Sequence, residues 1–86
     1  MSRRIGVVAI VVEDPGRSAA AVNEILSRYA HIIVGRMGLP YEKRGISVIS
    51  VVVDGSNEEI GAMAGKLGAI AGVQSKSMLT SRVYDD

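Results

Sequence analysis

Hydrophobic and polar positions divide the chain into two similar halves, each a strand followed by a polar turn and a helix. Residues 5–12 are almost continuously Val, Ile and Ala, which predicts a strand covered on both faces. The turn after it carries Asp14, predicted to cap the next helix through its carboxylate, and Pro15, which suits the first helical position. Apolar residues at helical spacing then predict an amphipathic helix over residues 15–29.

The second half begins with an extra strand. Residues 31–39 contain glycines and are followed by a proline, which favours an edge strand. A polar connection leads to a second apolar strand over residues 46–53, and Ser56 and Glu59 then have the spacing of a capping box. A helix follows, with Gly72 as its predicted C-cap. Residues 73–83 predict a last strand, and residues 84–86 a loose tail.

This order of elements predicts one α+β domain over residues 1–86. It is typical of a ferredoxin-like βαββαβ sandwich, a four-stranded antiparallel sheet with two helices on one face. The first and third strands are the most apolar and are predicted to be central. Since the helices can cover only one face, the other face predicts a subunit interface in a homodimer or homotetramer. The alternative is that small apolar side chains are tolerated at the surface.

Composition supports a partner surface and excludes several classes of function. A chain of 86 residues has a small core, and 48% hydrophobic residues with a mean hydropathy of +0.26 favour burial between subunits. A net charge of +1 is too small to predict electrostatic binding to nucleic acid or to an anionic membrane. The absence of cysteine excludes a disulfide scaffold and a thiolate metal site. No apolar run approaches a membrane span. We therefore expect a cytoplasmic protein without a direct nucleic-acid or membrane partner.

No catalytic constellation is present, so we predict that the protein is not an enzyme. His31 is the only histidine, and one imidazole without cysteine is a poor metal site, so we predict no metal and no cofactor. His31 is instead expected at the start of a strand. Asp14 and Asp54 are better explained as turn or cap residues than as an acid and base pair. Arg17 and Arg36 are the best candidates for anion contacts, and the alternative for each is a solvated surface arginine.

Two functions known for this fold lack their residues here. RNA recognition would use aromatic side chains in the first and third strands, and these strands contain none. A small acylphosphatase would pair an arginine-bearing phosphate loop with a helix asparagine. Asn23 and Arg17 alone do not define such a site.

The second helix carries four glycines, at spacings of four, three and four residues, on one side: Gly61, Gly65, Gly68 and Gly72. Each interior glycine costs about 0.5–1 kcal/mol relative to alanine. We therefore predict that something approaches this bare backbone closely. Residues 19–21, all alanine, or a neighbouring subunit would supply a close packing contact, and the alternative is a small ligand lying on the glycines.

The acidic turn at residues 12–16 and the glycine-rich segment 60–73 together resemble one family. They are similar to the iron-only hydrogenase system regulators, small ACT-like proteins related in fold to the C-terminal domain of the nickel-responsive repressor. The resemblance covers nearly the whole chain and includes Arg36, Gly38 and Pro40. It implies an ACT-like regulatory domain that forms dimers or tetramers through its sheets, with a role in transcriptional or hydrogenase-system regulation.

The resemblance also implies an effector site. In ACT domains a glycine in the first strand-to-helix turn leaves room for a small effector at a subunit interface, and Gly16 matches that glycine. We therefore take Asp14, Gly16, Arg17 and Arg36 as candidate effector-binding residues. The repressor's nickel ligands and its DNA-binding segment have no counterpart here, so such a regulator would act through a protein partner. The alternative is a structural or protein-interaction module without a ligand.

Overall fold

The computed structural model describes residues 2–85. It contains five strands, two helices and two single-turn 3₁₀ segments, at Ala30–Ile32 and Glu42–Arg44. The strands and helices, in chain order, are β1 (Ser2–Val12), α1 (Pro15–Arg28), β2 (Ile33–Tyr41), β3 (Ile46–Gly55), α2 (Asn57–Gly68), β4 (Val73–Leu79) and β5 (Tyr84–Asp85). This is the predicted α+β, ferredoxin-like order of elements, with one additional short strand.

The sheet has the order β2-β3-β1-β4, and neighbouring strands are antiparallel. The predictions that the first and third strands are central and that the glycine-containing strand lies at an edge are confirmed. The predicted loose tail is wrong for two of its three residues, because Tyr84 and Asp85 pair with Arg3 and Ser2 at the start of β1. The remaining tail residue, Asp86, lies outside the described residues.

Side chains of the central strands alternate between a covered and an uncovered face. In β1, Val8, Ile10 and Val12 are at most 1% exposed beneath the helices, whereas Val7 on the other face is 44% exposed. The prediction that β1 is covered on both faces is therefore wrong for the single chain, because both helices lie on one side of the sheet. The covered face and the two helices form the core, whose buried members are Val8, Ile10, Val12, Val22, Leu26, Ile32, Val51, Val53, Ile60, Met63, Leu67 and Val73.

The predicted start of α1 is correct, but the predicted side-chain cap is not. Pro15 occupies the first turn, as predicted, and Asp14 is the N-cap residue. The Asp14 side chain makes no capping hydrogen bond, so that part of the prediction is wrong. Its backbone, with φ −130° and ψ 85°, departs from the extended cap conformation seen at Ser56, where φ is −69° and ψ is 155°. The Asp14 carbonyl oxygen instead accepts from the backbone N–H groups of Arg17 and Ser18, at 3.0 Å each.

The capping box of α2 is confirmed. The backbone N–H of Glu59 donates to Ser56 Oγ at 3.1 Å, and the Ser56 N–H donates to Glu59 Oε1 at 3.3 Å. The predicted C-cap is wrong, because α2 ends at Gly68 and Ala69 is its cap. Gly72 lies in the following turn with φ 77°, a conformation that glycine adopts without strain, and its carbonyl oxygen accepts from Glu13 N–H at 2.8 Å.

Candidate functional site

A cleft of about 180 Å³ lies between α1 and the β2–β3 hairpin, on the helix side of the sheet. Because strand side chains alternate, β2 directs Arg36, Gly38 and Pro40 to this side, opposite Val51, Ile49 and Ser47 of β3. Gly38 contributes no side chain, so the space beside α1 stays open. The cleft is lined by Val12, Ala19, Val22, Asn23, Arg36, Gly38, Leu39, Pro40, Ser47 and Ile49.

The polar groups of the cleft are a guanidinium and a side-chain amide. Arg36 Nη2 donates to Asn23 Oδ1 at 2.8 Å, and both residues are exposed. Within residues 2–85, no carboxylate lies within ion-pair distance of Arg36. A guanidinium has five N–H donors, so most of its hydrogen-bonding capacity is left for water or an anion. The cleft therefore combines an apolar floor with one cationic group that no acidic side chain among residues 2–85 neutralises.

The structure separates the candidate effector residues into two places. Arg36 lines the cleft together with Asn23, whereas Asp14, Gly16 and Arg17 are exposed around the start of α1 and do not line it. A Cβ at Gly16 would meet only Asp14 Oδ1, at 3.8 Å, which leaves space around this turn. The assignment of an effector to these four residues stays a prediction. Sequence reasoning weighed Asn23 only as a partner of Arg17, because its pairing with Arg36 depends on how α1 lies beside β2.

The sheet surface that faces away from the helices is here called the open face. It carries exposed apolar side chains from all four main strands: Val7 is 44%, Val52 39%, Met37 61%, Leu39 56% and Met78 77% exposed. A shallow depression on this face is bordered by Val7, Ala9, Lys76, Ser77 and Met78. The apolar second face predicted from the sequence is thus present, and its burial in a subunit interface stays a prediction.

The glycine stripe of α2 faces away from the core. Gly61 and Gly65 would accept a Cβ with nothing of the described chain within 4 Å. At Gly68 an added Cβ would lie 3.9 Å from Ser75 Cβ. The predicted packing against the alanines of α1 is therefore wrong for Gly61 and Gly65, because α2 turns Ile60, Met63 and Leu67 toward the core instead. Contact with a neighbouring subunit or a ligand stays a prediction.

His31 and Asp54 take positions that the sequence did not predict. His31 lies in the 3₁₀ turn before β2, not at the strand start, and its Nε2 is 2.8 Å from Glu59 Oε2. The hydrogen bond with His31, followed by that from the Ser56 backbone, lowers the pKa of the Glu59 carboxyl. Asp54 lies inside β3 and pairs with Arg3, whose Nε is 3.0 Å from Asp54 Oδ1, so it is not a cap. Among residues 2–85, no three His, Cys, Asp or Glu side chains cluster as a metal site.

Most of the chain matches one protein family and solved structures of other proteins. A family described as "TM1266-like: Iron-only hydrogenase system regulator, putative" matches residues 4–77. The structure of uncharacterized protein TM1266 from Thermotoga maritima has a TM-score of 0.86 and 36% sequence identity, over 90% of this chain and 96% of that chain. No protein with a curated description matches.

A more distant neighbour shares the fold alone. The structure of CPII, a nitrogen regulatory PII-like protein from Thiomonas intermedia K12 bound to ADP, AMP and bicarbonate, has a TM-score of 0.50 and 15% identity. The alignment covers 95% of this chain and 96% of that chain. No helix within residues 2–85 is long and apolar enough to cross a membrane. From the match over residues 4–77 and the 36% identity over most of both chains, this chain belongs to the TM1266-like family of iron-only hydrogenase system regulators.

Proposed function

We propose that the chain is a regulatory domain, not an enzyme, that self-associates through the open face and binds a small effector. The observation that carries the proposal is the open face itself. Central strands β1 and β3 expose Val7 and Val52 there, and the edge strands add Met37, Leu39 and Met78. Apolar side chains that span a whole sheet favour burial against a second apolar surface, and a second copy of the chain offers one.

Effector binding is supported by a different surface. The cleft on the helix side places the Arg36 guanidinium beside an apolar floor, with no acidic partner in the part of the chain that the structure describes. Ligand sites commonly combine apolar walls with a few polar groups that fix orientation. Membership of a regulator family agrees with sensing. Regulation through a protein partner is part of the proposal.

The alternative function is an interaction module that has no ligand. The observation that favours it is the bare surface at Gly61 and Gly65, where nothing of the described chain lies within 4 Å of an added Cβ. Glycines on one side of a helix allow the backbone of another molecule to approach closely. In this alternative the cleft holds only water, and the glycine stripe contacts a protein partner.

Native mass spectrometry of the purified protein, with a denatured sample for comparison, tests both functions at once. We expect a dimer or tetramer that retains a reproducible small mass. An oligomer without such a mass favours the interaction module, and a stable monomer contradicts self-association through the open face.

A pair of variants locates the interface. Val52→Lys places a charge at the centre of the open face, and Ala21→Lys adds the same charge to the exposed side of α1. Burying an unpaired ammonium is costly, so we expect Val52→Lys to dissociate the oligomer and Ala21→Lys to leave it intact. Dissociation by Ala21→Lys alone would place the interface on the helix side. Circular dichroism shows whether both variants keep the fold.

A further inference from the structure

We infer that the cleft between α1 and the β2–β3 hairpin binds a small monocarboxylate with a short apolar tail, and that Arg36 holds the carboxylate. This inference rests on the proposed function, because it names the chemical class and the place of the effector. It differs from the site implied by the ACT resemblance, which lies at the turn around Gly16.

The size of the cleft limits the ligand. The volume of the cleft is about 180 Å³. Sites for drug-sized ligands are larger, about 300–1,000 Å³. The cleft is open to solvent, so its volume describes only the part of a ligand that it encloses, and a small carboxylate with a short hydrocarbon tail is of that size.

The floor of the cleft selects an apolar tail. Val12 and Val22 are at most 1% exposed, and Ile49 packs against the same core. Val12 and Val22 therefore close the base of the cleft and expose almost no surface of their own. The accessible apolar side chains of the lining are those of Leu39, Pro40 and Ile49, which can contact a hydrocarbon and offer no hydrogen bond to a polar group. The tail of the ligand is therefore a short hydrocarbon.

The rim of the cleft selects an anion. Arg36 gives one donor to Asn23 Oδ1 at 2.8 Å, which fixes the guanidinium at the mouth while other N–H groups remain for a ligand. The planar guanidinium matches a carboxylate through two parallel hydrogen bonds. One arginine beside an apolar floor suits a single negative charge better than the doubly charged phosphate. The Asn23 amide NH₂ and the Ser47 hydroxyl, both in the lining, are further polar groups near the mouth.

Gly38 affects the shape of the cleft. A Cβ at Gly38 would make only an ordinary contact, 3.9 Å from Ile49 Cγ1. Among the described glycines, positive φ occurs at Gly45 and Gly72, so backbone conformation does not require glycine at position 38. Glycine inside a strand weakens it. Neither crowding nor backbone geometry explains this glycine, and its structural effect is to keep the cleft open.

Amide-resolved NMR titration of the ¹⁵N-labelled protein tests the inference. The probe is 3-methylbutanoate, and its matched controls are 3-methylbutanamide, which has the same shape without the charge, and acetate, which has the charge without the tail. We expect saturable shifts of the Asn23, Gly38 and Ile49 amides with 3-methylbutanoate, and at least tenfold weaker binding of both controls. Equal affinity for the amide, or no saturable shift with 3-methylbutanoate, would overturn the inference.

Three variants assign the binding to the cleft. Gly38→Val fills it and is expected to abolish the shifts, whereas Gly35→Val changes the same residue type on the same strand, where nothing lies within 4 Å, and is expected to retain them. Arg36→Gln removes the charge and is expected to weaken the carboxylate by at least tenfold without changing the affinity for the amide. Retained binding in both Gly38→Val and Arg36→Gln would contradict the assignment. The dispersion of each spectrum reports whether the variant is folded.

Failure of this inference is separable from failure of the proposed function. An oligomer that retains a small mass, but shows no carboxylate shifts in the cleft, would keep the regulator and remove this ligand class. A monomer whose cleft still binds 3-methylbutanoate would keep the site and contradict self-association.

Discussion

Replacing Gly61 and Gly65 by alanine is expected to stabilise the folded chain. Both glycines lie inside α2, and an added Cβ at either position would meet nothing of the described chain within 4 Å. Neither has positive φ, so alanine adopts the same backbone without strain. Since an interior helical glycine costs about 0.5–1 kcal/mol relative to alanine, the double variant should raise the free energy of unfolding by about 1–2 kcal/mol.

Urea denaturation followed by circular dichroism measures this change, at two well-separated protein concentrations. The matched control is Gly45→Ala. It also has nothing within 4 Å of the added Cβ, but φ is 68°, so the change should destabilise the chain by about 1 kcal/mol. The two changes differ in backbone conformation and not in available space.

The reasoning is refuted if the Gly61→Ala, Gly65→Ala variant is less stable than the parent chain. A loss that grows with protein concentration would mean that a neighbouring subunit contacts these glycines in the folded assembly. A loss independent of concentration would mean that the space around α2 is filled by the chain itself, contrary to the structure.

Three further changes test the core and the caps. Leu67→Ala is expected to lower the free energy of unfolding, measured by urea denaturation, by about 2–5 kcal/mol, because Leu67 is 0% exposed. Its control, Val83→Ala, changes a residue that is 48% exposed and should lower it by less than about 1 kcal/mol. Ser56→Ala should cost about 1 kcal/mol by the same assay, because it leaves the Glu59 N–H at the start of α2 without its cap, and a neutral result would contradict the capping box. The pKa of Glu59 is lowered from its ordinary value of 4.5, so the folded state binds this proton more weakly than the unfolded chain. Its stabilising contribution is therefore present above pH 4.5 and lost as the pH falls through the lower folded pKa, and the difference in urea midpoint between the parent chain and Glu59→Gln should shrink in that range.

Features that depend on residues close together in the sequence, such as helix caps and strand faces, are predicted well from residue spacing. The capping box of Ser56 and Glu59 spans three residues, so its geometry follows once the helix starts there. The apolar alternation of the central strands correctly predicts a second apolar face, since side chains on a strand have a fixed period of two. Asp14 illustrates the limit. Its identity favours a cap, but its backbone departs from the extended cap conformation and its side chain makes no capping hydrogen bond.

Contacts between distant residues explain what the sequence does not predict. Tyr84 and Arg3 pair across 81 positions to form β5 against β1, which no local pattern in a polar C-terminal segment indicates. The Arg36–Asn23 contact depends on the position of α1 beside an edge strand. Gly38 lines the cleft because it falls on the helix side of β2, and that side is fixed by the register with β3, including the shift between Ile33 and Gly35.

β2 connects the two surfaces on which the proposals rest. Its alternate residues Arg36 and Gly38 line the cleft, while Met37 and Leu39 belong to the open face. A ligand that joins Arg36 to the floor of the cleft would fix an edge strand that has a partner on one side only, and it would thereby change the edge of the open face. Coupling of this kind is reciprocal. If a carboxylate strengthens self-association through this strand, self-association must strengthen carboxylate binding by the same factor, and Val52→Lys should weaken binding in a cleft that it does not touch.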